Sequence, residues 1–207
     1  IMTSTAGGPG GKSFGWINRE LIASGQTLKH MNPYGGEDRF WIGPEGGQFS
    51  IFFAKDVPFD FDHWQTPAAI DTEPFEVVSK TADAASFRRT MRLVNYSGTT
   101  FDVQVDREIS VLDRDQAIEQ LGAPVGPSVK MVAFESSNRM TNAGTEPWTR
   151  QTGLLSIWIL GMFNPSPQTT IVVPFNVGPE SRLGPVVNDT YFGKVPASRL
   201  VVRDGVL

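Results

Sequence analysis

The run Thr99-Thr100-Phe101-Asp102-Val103-Gln104-Val105-Asp106 decides the fold class. Phe101, Val103 and Val105 alternate with Asp102, Gln104 and Asp106. A period of two puts the apolar set on one face and the polar set on the other. That is the pattern of a half-buried antiparallel strand, and it predicts a strand over residues 99–112. Just upstream, Asn95-Tyr96-Ser97-Gly98 reads as a hairpin turn. Residues 86–95 alternate in part, with Phe87, Thr90, Arg92 and Val94 interleaved, and residues 75–80 predict another strand.

Working outward, Asp113 can cap a helix whose face is Ala117, Ile118 and Leu121, and Gly122 with Pro124 ends it. Strands are predicted at 129–141, 151–163, 169–175 and in the tail, 191–202. Pro165, Pro167 and Pro174 place the later ones at edges or strand ends. Towards the N-terminus, 14–22, 28–32 and 48–54 carry the aromatic and branched residues of strands. Residues 55–71, with Asp56, Pro58, Asp60, Asp62, His63, Trp64 and Pro67, follow neither period and read as a long ordered loop. Roughly ten to twelve strands with one short helix define an all-β, antiparallel β-sandwich.

The totals agree. The chain has 207 residues, 40% hydrophobic and 19% charged, which is globular composition. Its 21 glycines and 15 prolines are spread along the chain and mark many short elements. No repeat and no boundary is visible, so residues 1–207 read as a single domain. A net charge of −4, with no Lys/Arg cluster, argues against a nucleic-acid partner. No apolar run approaches the ~18–20 residues of a membrane span. There is no cysteine, which excludes disulfides, thiolate nucleophiles and cysteine-based metal sites. No basic region leads into an apolar stretch, so a leader is expected to be absent from this chain. Its last residues read as a strand entering a turn, and the protein is expected to continue beyond them as a truncated fold.

Residues 35–53 hold the candidate site. Gly35-Gly36 and Gly46-Gly47 bracket Glu37, Asp38, Arg39, Trp41 and Glu45, with Gln48 following. Charges so placed must be solvated, paired or functional. Two carboxylates can flank a sugar, and an acid with a base can epimerise one. If the run is extended, Glu37 and Arg39 share a face and Asp38 takes the other. One acid then pairs with Arg39 and another is left for chemistry, or the pair is only structural. Of the two histidines, His63 is the better functional candidate, beside Asp62 and Trp64. The bland alternative is a lone polar histidine. Asp56, Asp60 and Asp62 lack the remaining ligands of a calcium loop and read as solvated acids, so no metal is expected. Trp16, Tyr34, Phe40, Trp41 and Trp64 can stack on sugar rings or fill a core. For Phe49, Phe52 and Phe53 the core is preferred.

The run from Gly35 to Gly47, with its Gly-Gly…Trp…Pro-Glu pattern, resembles the early motif of galactose-mutarotase-like (aldose 1-epimerase-like) proteins. Glu135-Ser136-Ser137-Asn138-Arg139-Met140-Thr141-Asn142 is similar to the strand with a Thr-Asn pair in that superfamily, and Trp148 and the 158–162 region also look like it. The nearest resemblance is to an uncharacterised branch of secreted bacterial proteins. It implies a β-supersandwich with a concave sugar site, no cofactor, a mono- or oligosaccharide partner and a periplasmic or extracellular location. Taken with the residue reading above, the expected catalytic roles fall to Glu37, Glu45 and His63, and substrate contacts to Arg39, Trp41, Gln48, Trp64, Asn138 and Asn142; Glu45 matches the Pro-Glu of the motif, a position that is not the base in mutarotases. Isomerase, lyase or hydrolase-like chemistry would follow. True aldose epimerases place a histidine after the Thr-Asn pair, where this chain has Ala143. The alternative is therefore a non-catalytic binding or structural module of a secreted assembly.

Overall fold

The computed structural model describes residues 13–189 and 193–207. They group into two units, the first ending at Asn164 and the second spanning Pro165–Leu207. Among the described residues, the first unit holds every strand. Its larger sheet has four antiparallel strands in the order β2 (Glu76–Lys80), β3 (Ala84–Val94), β4 (Thr100–Leu112), β5 (Ala133–Asn142). Its smaller sheet pairs β1 (Arg39–Gly43) with β6 (Ser156–Leu160), also antiparallel. The fold is all-β and sandwich-like, as the alternation at 101–106 requires.

That alternation sets the packing. In the β3–β4 ladder Met91 faces Val103 and Leu93 faces Phe101. These four and Val105 are buried in one cluster with Phe40, Trp41 and Ile42 of β1. Across each strand the other face stays wet. Arg88 Nε donates to Asp106 Oδ1 at 2.6 Å and Gln104 Nε2 donates to Asp106 Oδ2 at 2.8 Å. The helix begins as expected. Asp113 caps α3 (Arg114–Leu121) by a reciprocal exchange with Gln116, and Gly122 ends it.

Several expected strands do not form. Residues 14–22 make only the bridges Gly15↔Phe163 and Ile17↔Gly35 before turning into helix α1 (Arg19–Ser24). Asn18 explains the turn, because its side chain accepts from Leu21 N at 3.1 Å and caps the helix. Residues 28–32 are folded on themselves, with Leu28 N donating to Asn32 Oδ1 at 2.7 Å. Residues 48–54 bend around Ser50, whose Oγ donates to the Glu45 carbonyl at 2.5 Å and accepts from Phe52 N at 3.1 Å. Ile51, Phe52 and Phe53 are all buried, so their apolar run serves a packed bend and not a strand. The long loop contains a 3-10 turn (Phe61–His63) and helix α2 (Ala68–Asp71). Among the described residues there are six strands and four short α-helices, in place of more strands and one helix.

The second unit contains helix α4 (Glu180–Leu183). Residues 169–175 form no strand, but Val173 and Leu207 exchange backbone hydrogen bonds at 2.9 and 3.0 Å. In the expected tail strand, residues 191 and 192 lie outside the described residues, and 193–202 form none. No described helix is long and apolar enough to cross a membrane.

Asp106 gives a test of the wet face. The Gln104 amide, and after it Arg88, hold its carboxyl below the usual carboxylate range. A carboxylate lowered by folding stabilises at neutral pH and loses that contribution as pH falls through its folded value. Asp106→Asn should destabilise by less than about 1 kcal/mol at pH 7, because the pair is partly exposed. The gap to wild type in thermal unfolding should close as pH falls from about 5 to about 2.

Candidate functional site

β1 is inaccessible along four of its five residues, so the charges at its N-terminal end must be matched. Successive side chains leave a strand on opposite sides. Arg39 and Trp41 go one way. Arg39 Nη2 meets Asp71 Oδ1 at 2.5 Å, its Nη1 donates to the Asn32 carbonyl at 2.7 Å, and its guanidinium lies 4.7 Å from the Trp41 ring. The Asp71 side chain is 4% exposed, and Asn32 Nδ2 donates to its other oxygen at 2.7 Å. This pair ties α2 to β1. The sequence expectation that a neighbouring acid would pair with Arg39 is corrected, since its partner comes from 32 residues away.

Asp38 and Phe40 go the other way, towards the four-stranded sheet. Arg107 Nη2 donates to Asp38 Oδ2 at 2.8 Å, and its guanidinium lies 5.3 Å from the Phe40 ring. Ser136 Oγ donates to Asp38 Oδ1 at 3.2 Å, and Asn138 Nδ2 donates to Ser136 Oγ at 3.1 Å. Register explains the grouping. Arg107 is opposite Asn138, and Val105 is opposite both Met140 and Arg89. All therefore project from the face that carries Val103 and Val105. The inner face is apolar at one end and polar at the other.

The polar end is nearly dry. The Asp38 and Arg107 side chains are each 13% exposed. Burial pulls the Arg107 pKa down, and the adjacent Asp38 carboxylate offsets part of that. Arg89 pairs with Glu73 and also donates to the Pro74 carbonyl at 3.0 Å. Arg107 Nε, Arg89 Nε and Asn138 Oδ1 are buried with no hydrogen-bond partner among the described residues. Arg107 and Asn138, opposite each other in the ladder, thus hold a donor and an acceptor on facing residues, and Arg89 holds a second donor further along the same face.

The sequence-predicted residues are scattered. Glu37 is half-buried against Gly15, where an added Cβ would sit 1.9 Å from Glu37 Oε2. Trp41 is 1% exposed, so neither ring face is open to a sugar, and its Nε1 donates to Glu45 Oε1 at 2.6 Å. Gln48 is exposed, and its carbonyl accepts from Ser97 Oγ at 2.6 Å. Trp64 packs on Phe52 with ring centroids 4.6 Å apart, and its Nε1 donates to Thr66 Oγ1 at 2.9 Å. His63 lies on the 3-10 turn with Nδ1 2.6 Å from Asp60 Oδ1. That bond lowers the Asp60 pKa. Asn142 caps the turn after β5, donating to the Glu146 carbonyl at 2.8 Å and accepting from Gly144 N at 3.0 Å.

Asn138 is the predicted residue that belongs to the polar cluster, with Glu37 next to Asp38 in sequence. Trp41 meets both Glu45 and the Arg39 guanidinium, and the rest are held by different neighbours. Asp38 was visible only as one acid among several. Arg107, Ser136 and Arg89 were missed, although the alternation contained a signal. Continuing the apolar face past Phe101, Val103 and Val105 puts Arg107 where another apolar residue is expected.

The chain matches a protein family of unknown function, DUF6786, over residues 1–207 and belongs to that family. Among curated proteins and among solved structures, none matches the chain.

Arg107→Met leaves Asp38 without its cation in a nearly dry place, which should cost about 3–5 kcal/mol in chemical denaturation. Arg107→Met combined with Asp38→Asn should recover most of that loss. A double variant as unstable as the sum of the single ones would show that the two residues are not coupled.

Proposed function

We propose that this protein is a carbohydrate-binding β-sandwich of the galactose-mutarotase-like kind, holding a mono- or oligosaccharide at the polar end of the inner sheet face. The observation that carries this reading is that Arg107 Nε and Asn138 Oδ1, on facing residues of the ladder beside Asp38 and Ser136, are buried without a partner among the described residues. A buried donor or acceptor without a partner costs about 1–3 kcal/mol, so a ligand that satisfies it gains that much. A sugar hydroxyl both donates and accepts. Neighbouring hydroxyls of one ring can accept from an arginine and donate to the asparagine. The resemblance of residues 35–47 and 135–144 to sugar-handling proteins supports the same ligand class, with a periplasmic or extracellular setting.

Binding without turnover is the preferred form of this reading. Asp38 is engaged by Arg107 and Ser136, and Glu45 by the Trp41 indole. Asn142 serves the turn after its strand, followed by Ala143 in place of a histidine. Calorimetry with a panel of neutral and acidic mono- and oligosaccharides tests the proposal. Wild type should bind at least one, and Asn138→Leu, close in volume but without the acceptor, should weaken that ligand about tenfold or more. No heat across the panel, or equal affinity in Asn138→Leu, would sink it.

A further inference from the structure

β5 is an edge of the four-stranded sheet, with β4 on one side and no strand among the described residues paired to the other. It is ten residues long, contains no proline, and pairs with β4 without a register shift. The opposite edge, β2, has five residues and a bulge between Val77 and Ser79. Bulges, prolines and short length are the usual devices that stop an edge from pairing. β2 has two of them, and β5 has none.

The direction of the free backbone groups follows from the ladder. Ala143 N donates to the Asp102 carbonyl at 2.9 Å, one step beyond the Asn142↔Val103 pair. Hydrogen-bonded pairs recur at every second residue of an antiparallel ladder. Ser137 and Arg139 therefore spend their backbone groups on β4. Those of Phe134, Ser136, Asn138 and Met140 point away from it. The Ser136 carbonyl agrees, because it meets the Asn138 amide of its own strand at 3.4 Å.

We propose that β5 is a homodimer interface, in which a second copy adds its own β5 antiparallel about a two-fold axis at Ser137. In this register Ser136 exchanges backbone bonds with Asn138 of the second copy, and Phe134 with Met140 of the second copy. The symmetric pairs bring the total to about eight bonds. Charge selects the register. Glu135, Ser137 and Arg139 share the exposed face, since they sit opposite Ser110, Glu108 and Asp106. The axis at Ser137 sets Glu135 opposite Arg139 of the second copy, twice, in the closely spaced non-hydrogen-bonded positions. Moving the axis to Ser136 or Asn138 keeps the backbone parity but breaks both charge pairs. On the inner face Phe134 meets Met140, and both are half-buried at present. The assembly is one continuous eight-stranded sheet. It does not rest on the ligand reading.

Amide hydrogen exchange at about 10 µM and about 500 µM protein, paired with sedimentation, tests it. Amides of Ser136, Asn138 and Met140 should exchange at least about tenfold more slowly at the higher concentration, in step with a dimer mass. Those of Ser137 and Arg139 should be protected at both. Arg139→Glu opposes two acid pairs and should abolish the concentration dependence, while Glu135→Arg with Arg139→Glu should restore it. Retained protection at Ser137 shows that the sheet is intact in each variant. A monomer at both concentrations overturns the proposal. So does a dimer that leaves the three amides unchanged, which would place the contact elsewhere, and so does an Arg139→Glu dimer as tight as wild type.

Discussion

The structure depends on one constraint: β1 is buried on both sides, yet the chain enters it through two charged residues. A buried charge must find an opposite charge or it cannot stay ionised cheaply. Asp38 and Arg39 project to opposite sides and meet this demand in opposite directions. Arg39 reaches Asp71 and fastens helix α2 to the strand. Asp38 reaches Arg107 and fastens the strand to the large sheet. Two ion pairs at one end of one strand therefore join the layers of the first unit.

The pairs do different things because their surroundings differ. Around Arg39 the partners are used up: Asp71 also accepts from Asn32, and the guanidinium is covered by Trp41. Around Asp38 they are not. Arg107 keeps a buried Nε, and Asn138 keeps its Oδ1. The first pair is architecture, and the second leaves hydrogen-bonding capacity at the polar end of the inner face. Ser136 and Asn138 also lie on the open edge of β5, so the candidate site and the proposed dimer contact share a strand and use different atoms of it. The site uses side chains on the inner face, and the dimer uses backbone groups in the plane of the sheet.

Much of the fold could be read from residues 75–142. There the apolar period is strict over 101–106, the turn at 95–98 has a clear signature, and Asp113 and Gln116 form a reciprocal cap. These are local rules, and nothing distant overrides them. Residues 14–54 defeated the same reasoning. Their aromatic and branched residues suit strands, but Asn18, Asn32 and Ser50 use their side chains on nearby backbone groups and bend the chain into helix and turn. The apolar residues between them still reach the core, by packing from bends.

By itself the sequence determined the class of the fold, the faces of the long strands and the position of α3, because hydrophobic period and capping act over a few residues. It also put Asp38 and Asn138 among the notable polar residues. It could not say which acid meets which base. Asp38 is 69 residues from Arg107 and 98 from Ser136 in the chain, and only the pairing of β4 with β5 under β1 brings them within hydrogen-bond distance. Packing against Phe52 and Trp158 decided that Trp41 belongs to the core, with Glu45 at its rim. An acid's role follows from the charge it is buried against, and that neighbour is chosen by tertiary packing.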